Sequence, residues 1–302
     1  DVRIEDIHII QEHHDGRVFL DVSAELSKKP PKLLEVCLKM LFQDETVHET
    51  SRMVSDRETS ISFEVPSPKL WWPNNMGPQN LYRIVVSLKS ESGILDQTEK
   101  TIGLRTLRLV TKPDEWGESF YFEVNSVPFF AKGANWIPAD TFVTRITPEF
   151  YEKLLRSAAA ANMNMLRVWG GGIYESDIFY DICDRLGICV WQDFPFACSA
   201  YPAYDEEYMA NVKKEAEDNV KRLRHHACLA LFCGNNEIEQ IKGCITDNID
   251  EGGMTWDEYK KLFDELLPGV VRKHAPYISY WPSSPHTPEN RKIGRASCRE
   301  RV

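Results

Sequence analysis

Ala227-Cys-Leu-Ala-Leu-Phe-Cys-Gly-Asn-Asn-Glu-Ile-Glu239 joins an uncharged apolar run to an abrupt polar stop. The run Cys228 to Cys233 has the length and composition of a strand buried on both faces. Gly234 ends it, and two amides and a carboxylate follow. A strand of this kind belongs to a parallel sheet covered by helices. In barrels of such strands, the C-terminal ends are where reacting groups collect. Glu237 is therefore the first candidate for chemistry.

Working outward, the surrounding chain alternates strand and helix. Phe120–Val124 and Val127–Ala131 flank Asn125-Ser126 as a tight hairpin, whose second arm is expected to run on into Lys132-Gly-Ala-Asn-Trp136. Thr147 caps a helix with Pro148 at its first position, and Phe150, Leu154, Leu155, Ala158 and Ala161 recur at helical spacing. Met163–Trp169 is a strand. Ser176 opens a helix closed by Gly187, Ile188–Asp193 is the next strand, and Asp205 opens a long helix. A helix around Trp256–Leu267 and a strand at Tyr277–Tyr280 follow the opening stretch. Repeated βα units with near-continuous apolar strands predict a parallel sheet. No GxGxxG follows the first strand and Gly170-Gly-Gly172 lacks the lysine of a Walker loop, which argues against nucleotide folds. Pattern alone does not separate a barrel from an open sheet; about five strands are counted, so an eight-stranded barrel would be truncated by roughly three βα units.

Residues 1 to about 110 predict an all-β unit. Arg17–Leu26, Leu33–Phe42, Ser60–Val65, Tyr82–Leu88 and Lys100–Val110 are short runs separated by Pro, Gly, Ser and Asp, the pattern of an antiparallel sandwich. Leu70-Trp-Trp-Pro-Asn-Asn-Met-Gly77 is a turn whose indoles are expected to pack in the core or at a domain interface, with sugar stacking as the alternative. The domains expected are 1–112 as sandwich and 113–291 as the start of the barrel. The basic segment 292–302 has no apolar period; it resembles a translated sequencing adapter, with a basic tail as the alternative, and is left out of the fold.

The 302 residues are 42% hydrophobic and 27% charged, ordinary for a globular chain long enough for two cores. No apolar run reaches membrane-spanning length, so no membrane insertion is expected. The start at Asp1 lacks the basic and apolar parts of a signal peptide. A net charge of −10 argues against nucleic acid as a partner. Lys213-Lys214 and Lys221-Arg222-Leu-Arg224-His-His226 are expected to form one solvated helix face. Eight cysteines with no CxxC pair give little support for a metal site, leave the redox compartment open and do not fit a disulfide scaffold. No cofactor is expected, and oligomeric state is left open.

The strand ends share one rim if the sheet is parallel. They present Asn135 and Trp136, then Arg167 and Trp169, then Asp193, then Asn235, Asn236 and Glu237. Aromatic faces, amides and carboxylates together suit a sugar, and no Ser or Cys is paired with a base. Each residue has a structural alternative. Glu237 caps a following helix, Asp193 caps a loop, Arg167 is a buried partner for a carboxylate, Trp169 packs, and Glu175 is structural. Gly170 to Gly172 supply backbone freedom.

Lys132-Gly-Ala-Asn-Trp-Ile-Pro-Ala-Asp140, Leu166-Arg-Val-Trp-Gly-Gly-Gly-Ile-Tyr-Glu175, Val190-Trp-Gln-Asp-Phe194 and Cys233-Gly-Asn-Asn-Glu237 together resemble glycoside hydrolase family 2. Trp169–Glu175 and Leu70–Gly77 are most similar to its β-mannosidases, those of the animal lysosome in particular. The resemblance covers 1–291. It implies an immunoglobulin-like sandwich before a truncated (β/α)8 TIM barrel, and retaining exo-hydrolysis of terminal β-D-mannose from an oligosaccharide substrate. It further implies Glu237 as general acid/base and Asn236 on the axial 2-hydroxyl. Asp193 and Trp169 would line the sugar subsite, with Arg167 supporting the carboxylates. The nucleophile would lie on a later strand, so the 302 residues alone are expected to be inactive. Other family 2 exo-glycosidases and a non-catalytic sugar-binding protein are the competing readings, and a lysosomal location rests on the resemblance alone.

Overall fold

A computed structural model describes residues 2–115, 117–246 and 253–286; the segment 292–302 lies outside them. The first unit is two antiparallel sheets. β1 (Ile4–His14), β2 (Arg17–Leu26) and β5 (Glu58–Glu64) form one, in the order β1-β2-β5. β3 (Leu34–Phe42), β4 (Glu45–Val54), β6 (Tyr82–Ser90) and β7 (Gly93–Ile102) form the other, in the order β4-β3-β6-β7. Strand alternation builds the core between them. Val18, Leu20, Val22, Ala24 and Leu26 point inward from β2 and meet Val36, Leu38 and Met40 of β3 and Ile84, Val86 and Leu88 of β6.

β8 (Leu107–Val110), β9 (Pro113–Asp114), β10 (Gly117–Glu118), β11 (Tyr121–Val124) and β12 (Val127–Phe129) connect this unit to the next. β11 and β12 form the expected hairpin, with Asn125 and Ser126 at φ 49° and 66°. The structure departs from two expectations in this region. Lys100–Val110 is not one strand: Gly103 interrupts it because an added Cβ would stand 2.7 Å from both Trp71 and Ala227. The hairpin's second arm stops at Phe129, and 133–136 joins a different sheet.

That sheet is five parallel strands in chain order: β13 (Gly133–Trp136), β14 (Met165–Val168), β15 (Cys189–Asp193), β16 (Leu229–Cys233) and β17 (Ser279–Trp281). The order never reverses, unlike that of a doubly wound sheet. Helices α1 (Pro148–Ala160), α2 (Asp177–Leu186) and α3 (Glu206–Leu223) link the first four strands. Thr147 caps α1 through its hydroxyl, and Asp205 accepts from Glu207 N and Tyr208 N at the start of α3. α4 (Trp256–Tyr259) continues through a π-helical stretch, Lys260–Leu266, into α5 (Leu267–His274), so this helix outruns the expected 256–267. Every residue of β16 is buried, as its composition requires.

The Leu70–Gly77 turn clamps the two units. Trp71 is fully buried and its Nε1 donates to Asp184 O at 2.8 Å, while Asn74 Nδ2 donates to Ala159 O and Met163 O, both at 2.9 Å. Interface packing is thus the role of Trp71. Gly187 sits in the left-handed region at φ 72°, and a Cβ there would meet Asn74 N at 2.5 Å. Gly187→Ala is therefore expected to cost about 1–3 kcal/mol, read as a lower urea midpoint; an unchanged midpoint would contradict this clamp.

The basic run after α3 is also corrected. Lys213 and Lys214 are exposed, but Arg224 and His226 are buried. Arg224 Nη2 pairs with Asp6 at 2.8 Å and its Nη1 donates to His274 O at 3.0 Å. His226 Nδ1 meets Asp184 Oδ2 at 2.7 Å. The run is half solvated helix and half interface.

Burial, followed by Arg224, holds the His8 pKa down at about 4, and burial, followed by Arg105, does the same for His13. Asp6 opposes the shift at His8, while His14 adds to that at His13. Both values lie below the ordinary 6.5, so the folded chain keeps both rings neutral. Their contribution to stability is full above pH 6.5 and is lost as pH falls toward 4. The urea midpoint is expected to drop between neutral and mildly acid pH, and His8→Gln with His13→Gln to flatten that drop.

Candidate functional site

Register decides which side chains share a face. Asn135 pairs with Arg167, Arg167 with Trp191, and Trp191 with Leu231, so all four align across the sheet. Asp193 lies two residues beyond Trp191 and therefore on the same face. Lower on this face, Met165 and Cys189 are sealed by Trp71, Phe122 and neighbouring apolar groups, a cluster that Leu231 joins from the level of Trp191. The upper part, at the strand C-termini, holds the polar residues.

Asp193 is the hub. Its carboxylate is closed to solvent and accepts Arg167 Nε (3.2 Å), Arg167 Nη2 (2.7 Å), Gly170 N (3.0 Å) and Trp191 Nε1 (2.8 Å). Burial raises its pKa, while Arg167 and the hydrogen bonds from Gly170 and Trp191 oppose the shift. Arg167 reaches further, from Nη2 to Asn236 Oδ1 at 2.9 Å and from Nη1 to Asn135 Oδ1 at 3.3 Å. Arg167 is thus the partner of a buried carboxylate, as one reading had it, but is itself only partly buried.

Asn236 extends the line. Its backbone bridges Ala197 on one side and Ser284 on the other, and its Nδ2 donates to Cys198 Sγ at 3.3 Å. The Cys198 thiol in turn lies 3.6 Å from Glu237 Oε2. Nδ2 carries two hydrogens, so one N–H of Asn236 is left for another acceptor. Glu237 is in the left-handed region at φ 62° and is half-buried. Its carbonyl accepts Gln240 N and Ile241 N in a turn; α4, whose N-cap is Thr255, begins only at Trp256. The helix-cap alternative for Glu237 therefore fails.

The neighbours have other work. Asn235 is fully buried; its amide donates to Tyr259 OH and Pro282 O, and its carbonyl oxygen accepts from Ser283 Oγ and Ile238 N. Glu239 is turned inward, accepting from Tyr259 OH and lying 2.8 Å from His286 Nδ1. Trp136, one residue past Asn135, necessarily points to the opposite, helix-covered face. There its Nε1 donates to Glu175 at 2.9 Å and its ring packs 5.0 Å from Phe179, so it does not join the others. Glu175 is buried, held also by Tyr151 OH, and is structural.

Trp169 is half-buried over Gly171, where a Cβ would fall 2.0 Å from its ring. Gly170 also has little room: an added Cβ would stand 2.7 Å from Phe196 O and 2.8 Å from Phe194 O. The glycines thus serve close approach rather than a left-handed turn. Sequence reading missed Trp191 and Cys198. Trp191 was detectable as the residue two before Asp193; nothing marked Cys198.

Asp184, His226 and Cys228 bring ligand atoms within 4.8 Å of one another. Both Asp184 oxygens are already used, by His226 Nδ1 and Cys228 N, each at 2.7 Å. This is a clamp between α2 and the start of β16.

Residues 2–105 match the glycosyl hydrolases family 2. Beta-mannosidase B of Emericella nidulans is 36% identical over 287 residues, covering 93% of this chain and 34% of that protein. A crystal structure of Beta-D-Mannosidase from Dictyoglomus thermophilum superposes with a TM-score of 0.88 at 38% identity, covering 97% of this chain and 36% of that one. Amycolatopsis orientalis exo-chitosanase CsxA, at 17% identity and a TM-score of 0.70, shares the fold alone. The chain thus carries a glycosyl hydrolases family 2 segment at residues 2–105 and, over nearly all its length, is similar to β-mannosidases, about a third of whose length it spans.

Proposed function

We propose that this chain is part of a retaining exo-β-mannosidase in which Glu237 is the general acid/base. The observation that carries the reading is the hydrogen-bonded line Asp193–Arg167–Asn236–Cys198, which ends at Glu237 on the C-terminal rim of a parallel sheet. In this reading the sandwich is immunoglobulin-like, spanning 1–112, and the five parallel strands open a (β/α)8 barrel from residue 113. Glu237 protonates the leaving oxygen and later draws a proton from water. The free N–H of Asn236 takes the axial 2-hydroxyl, and Trp169 stacks on the sugar ring. A retaining enzyme needs a second carboxylate about 5–5.5 Å from the first. Asp193 is engaged by Arg167 and Glu239 by Tyr259 and His286, so the nucleophile comes from elsewhere in the longer protein.

The test is release of nitrophenol from β-mannoside, β-galactoside and β-glucosaminide by the full-length protein. The mannoside is expected to have the highest kcat/KM; preference for either other sugar would move the assignment to another exo-glycosidase. A lysosomal location of the animal type is a further part of the proposal and rests on the Trp169–Glu175 and Leu70–Gly77 stretches. The named relatives are fungal and bacterial. Co-fractionation of the full-length protein with acidic organelles would support it, and a cytosolic distribution would remove it.

A further inference from the structure

A cavity of about 280 Å³ lies where β1, the 102–108 link and the 224–227 turn meet. By volume it holds roughly nine waters' worth of space. It is at the N-terminal end of β16, whereas Glu237 follows the C-terminal end, about 16 Å away along the strand. The proposed acid/base chemistry does not involve it.

Its lining is cationic and short of acceptors. Arg105 is buried, with Nε donating to Ala227 O at 3.0 Å and Nη2 to Leu229 O at 2.8 Å. No ion pair among the described residues gives it a carboxylate. Arg224 is also buried; its Nη atoms are engaged by Asp6, Ile7 O and His274 O, but its buried Nε has no acceptor. The buried Nδ1 of His225, also on the lining, has no partner either. Glu123 is the lining's only carboxylate among the described residues, and Arg108 holds it at 2.9 and 2.5 Å. A guanidinium withdrawn from water without a counter-charge is costly, and an unfilled buried donor adds to the cost. A ligand with negative oxygens relieves both.

We propose that this cavity binds a small oxyanion, of the carboxylate or phosphate class, between Arg105 and Arg224. Such a site ties the sandwich to the start of β16 and is a stabilising rather than a reacting site.

The test uses thermal unfolding of the full-length protein in phosphate, acetate and chloride at equal ionic strength. Phosphate, acetate or both are expected to raise the midpoint by roughly 3–6 °C and to saturate, which chloride does not. Which of the two acts identifies the source class. Thr106 is exposed at the cavity's edge, and only its backbone is used, with Asn125. Thr106→Glu should fold, place a carboxylate at the mouth and abolish the saturable rise. Where phosphate gives the rise, phosphorus line broadening of inorganic phosphate should appear with the parent protein and be lost with Thr106→Glu; where acetate alone gives it, the same holds for the acetate methyl proton line. No saturable rise with either anion, or an equal rise in Thr106→Glu, would overturn the site.

Discussion

Glu237→Gln in the full-length protein is expected to lower turnover of a β-mannoside with a poor leaving group by about 10²–10⁴-fold. The same change should leave the unfolding midpoint where it was. The two expectations follow from one geometry. Glu237 is half-buried, and among the described residues its carboxylate's one hydrogen-bond partner is the Cys198 thiol at 3.6 Å, a weak contact whose loss is expected to cost no more than about 0.5 kcal/mol. Gln also keeps the backbone at φ 62° no more strained than Glu does. A large rate loss with no stability loss marks a group used for chemistry. A loss of both would mark one that holds the strand end together.

Arg167→Leu is expected to do the reverse in stability, costing about 3–5 kcal/mol, because it strands the closed-off carboxylate of Asp193 without its cation. Gly170 N and Trp191 Nε1 would remain as donors, so the residue is not left bare. The pH dependence gives the sign. Burial already pushes Asp193 up, and losing Arg167 pushes it further. A carboxyl whose folded pKa lies above its unfolded value favours the fold while protonated and loses that contribution as pH rises through the folded pKa. The urea-midpoint deficit of Arg167→Leu should therefore be largest at neutral pH and shrink on acidification. Adding Asp193→Asn should recover part of it at neutral pH. A deficit independent of pH would mean that Arg167 acts through packing alone.

The contrast between these two residues shows what the sequence carried. Arg167 and Asp193 sit at the ends of adjacent apolar runs, and once the sheet is parallel their pairing follows from position. The caps at Thr147 and Asp205 were legible for the same reason: they are local. β4 was not, because Glu45–Val54 is an edge strand whose exposed positions are polar except Met53 and which pairs only with β3 among the sheet's strands. The break at Gly103 depends on Trp71 and Ala227, which are remote in the chain. Arg224 and His226 read as solvated because their partners, Asp6 and Asp184, lie 218 and 42 residues away. Trp136 is a different case. Asn135 and Trp136 are adjacent in one strand and cannot face the same side, so alternation already excluded one of them from the rim. Cys198 lies in the irregular segment after β15, where no periodicity places a side chain.

The most direct test of the central claim is azide rescue of Glu237→Ala in the full-length protein, with dinitrophenyl β-mannoside as substrate. That leaving group departs without an acid, so a mannosyl-enzyme forms and then waits for a general base that is no longer there. Azide needs no base. The account predicts that azide accelerates turnover and yields β-mannosyl azide of retained configuration. A variant that turns over at the parent rate, with no response to azide and only mannose as product, would contradict it.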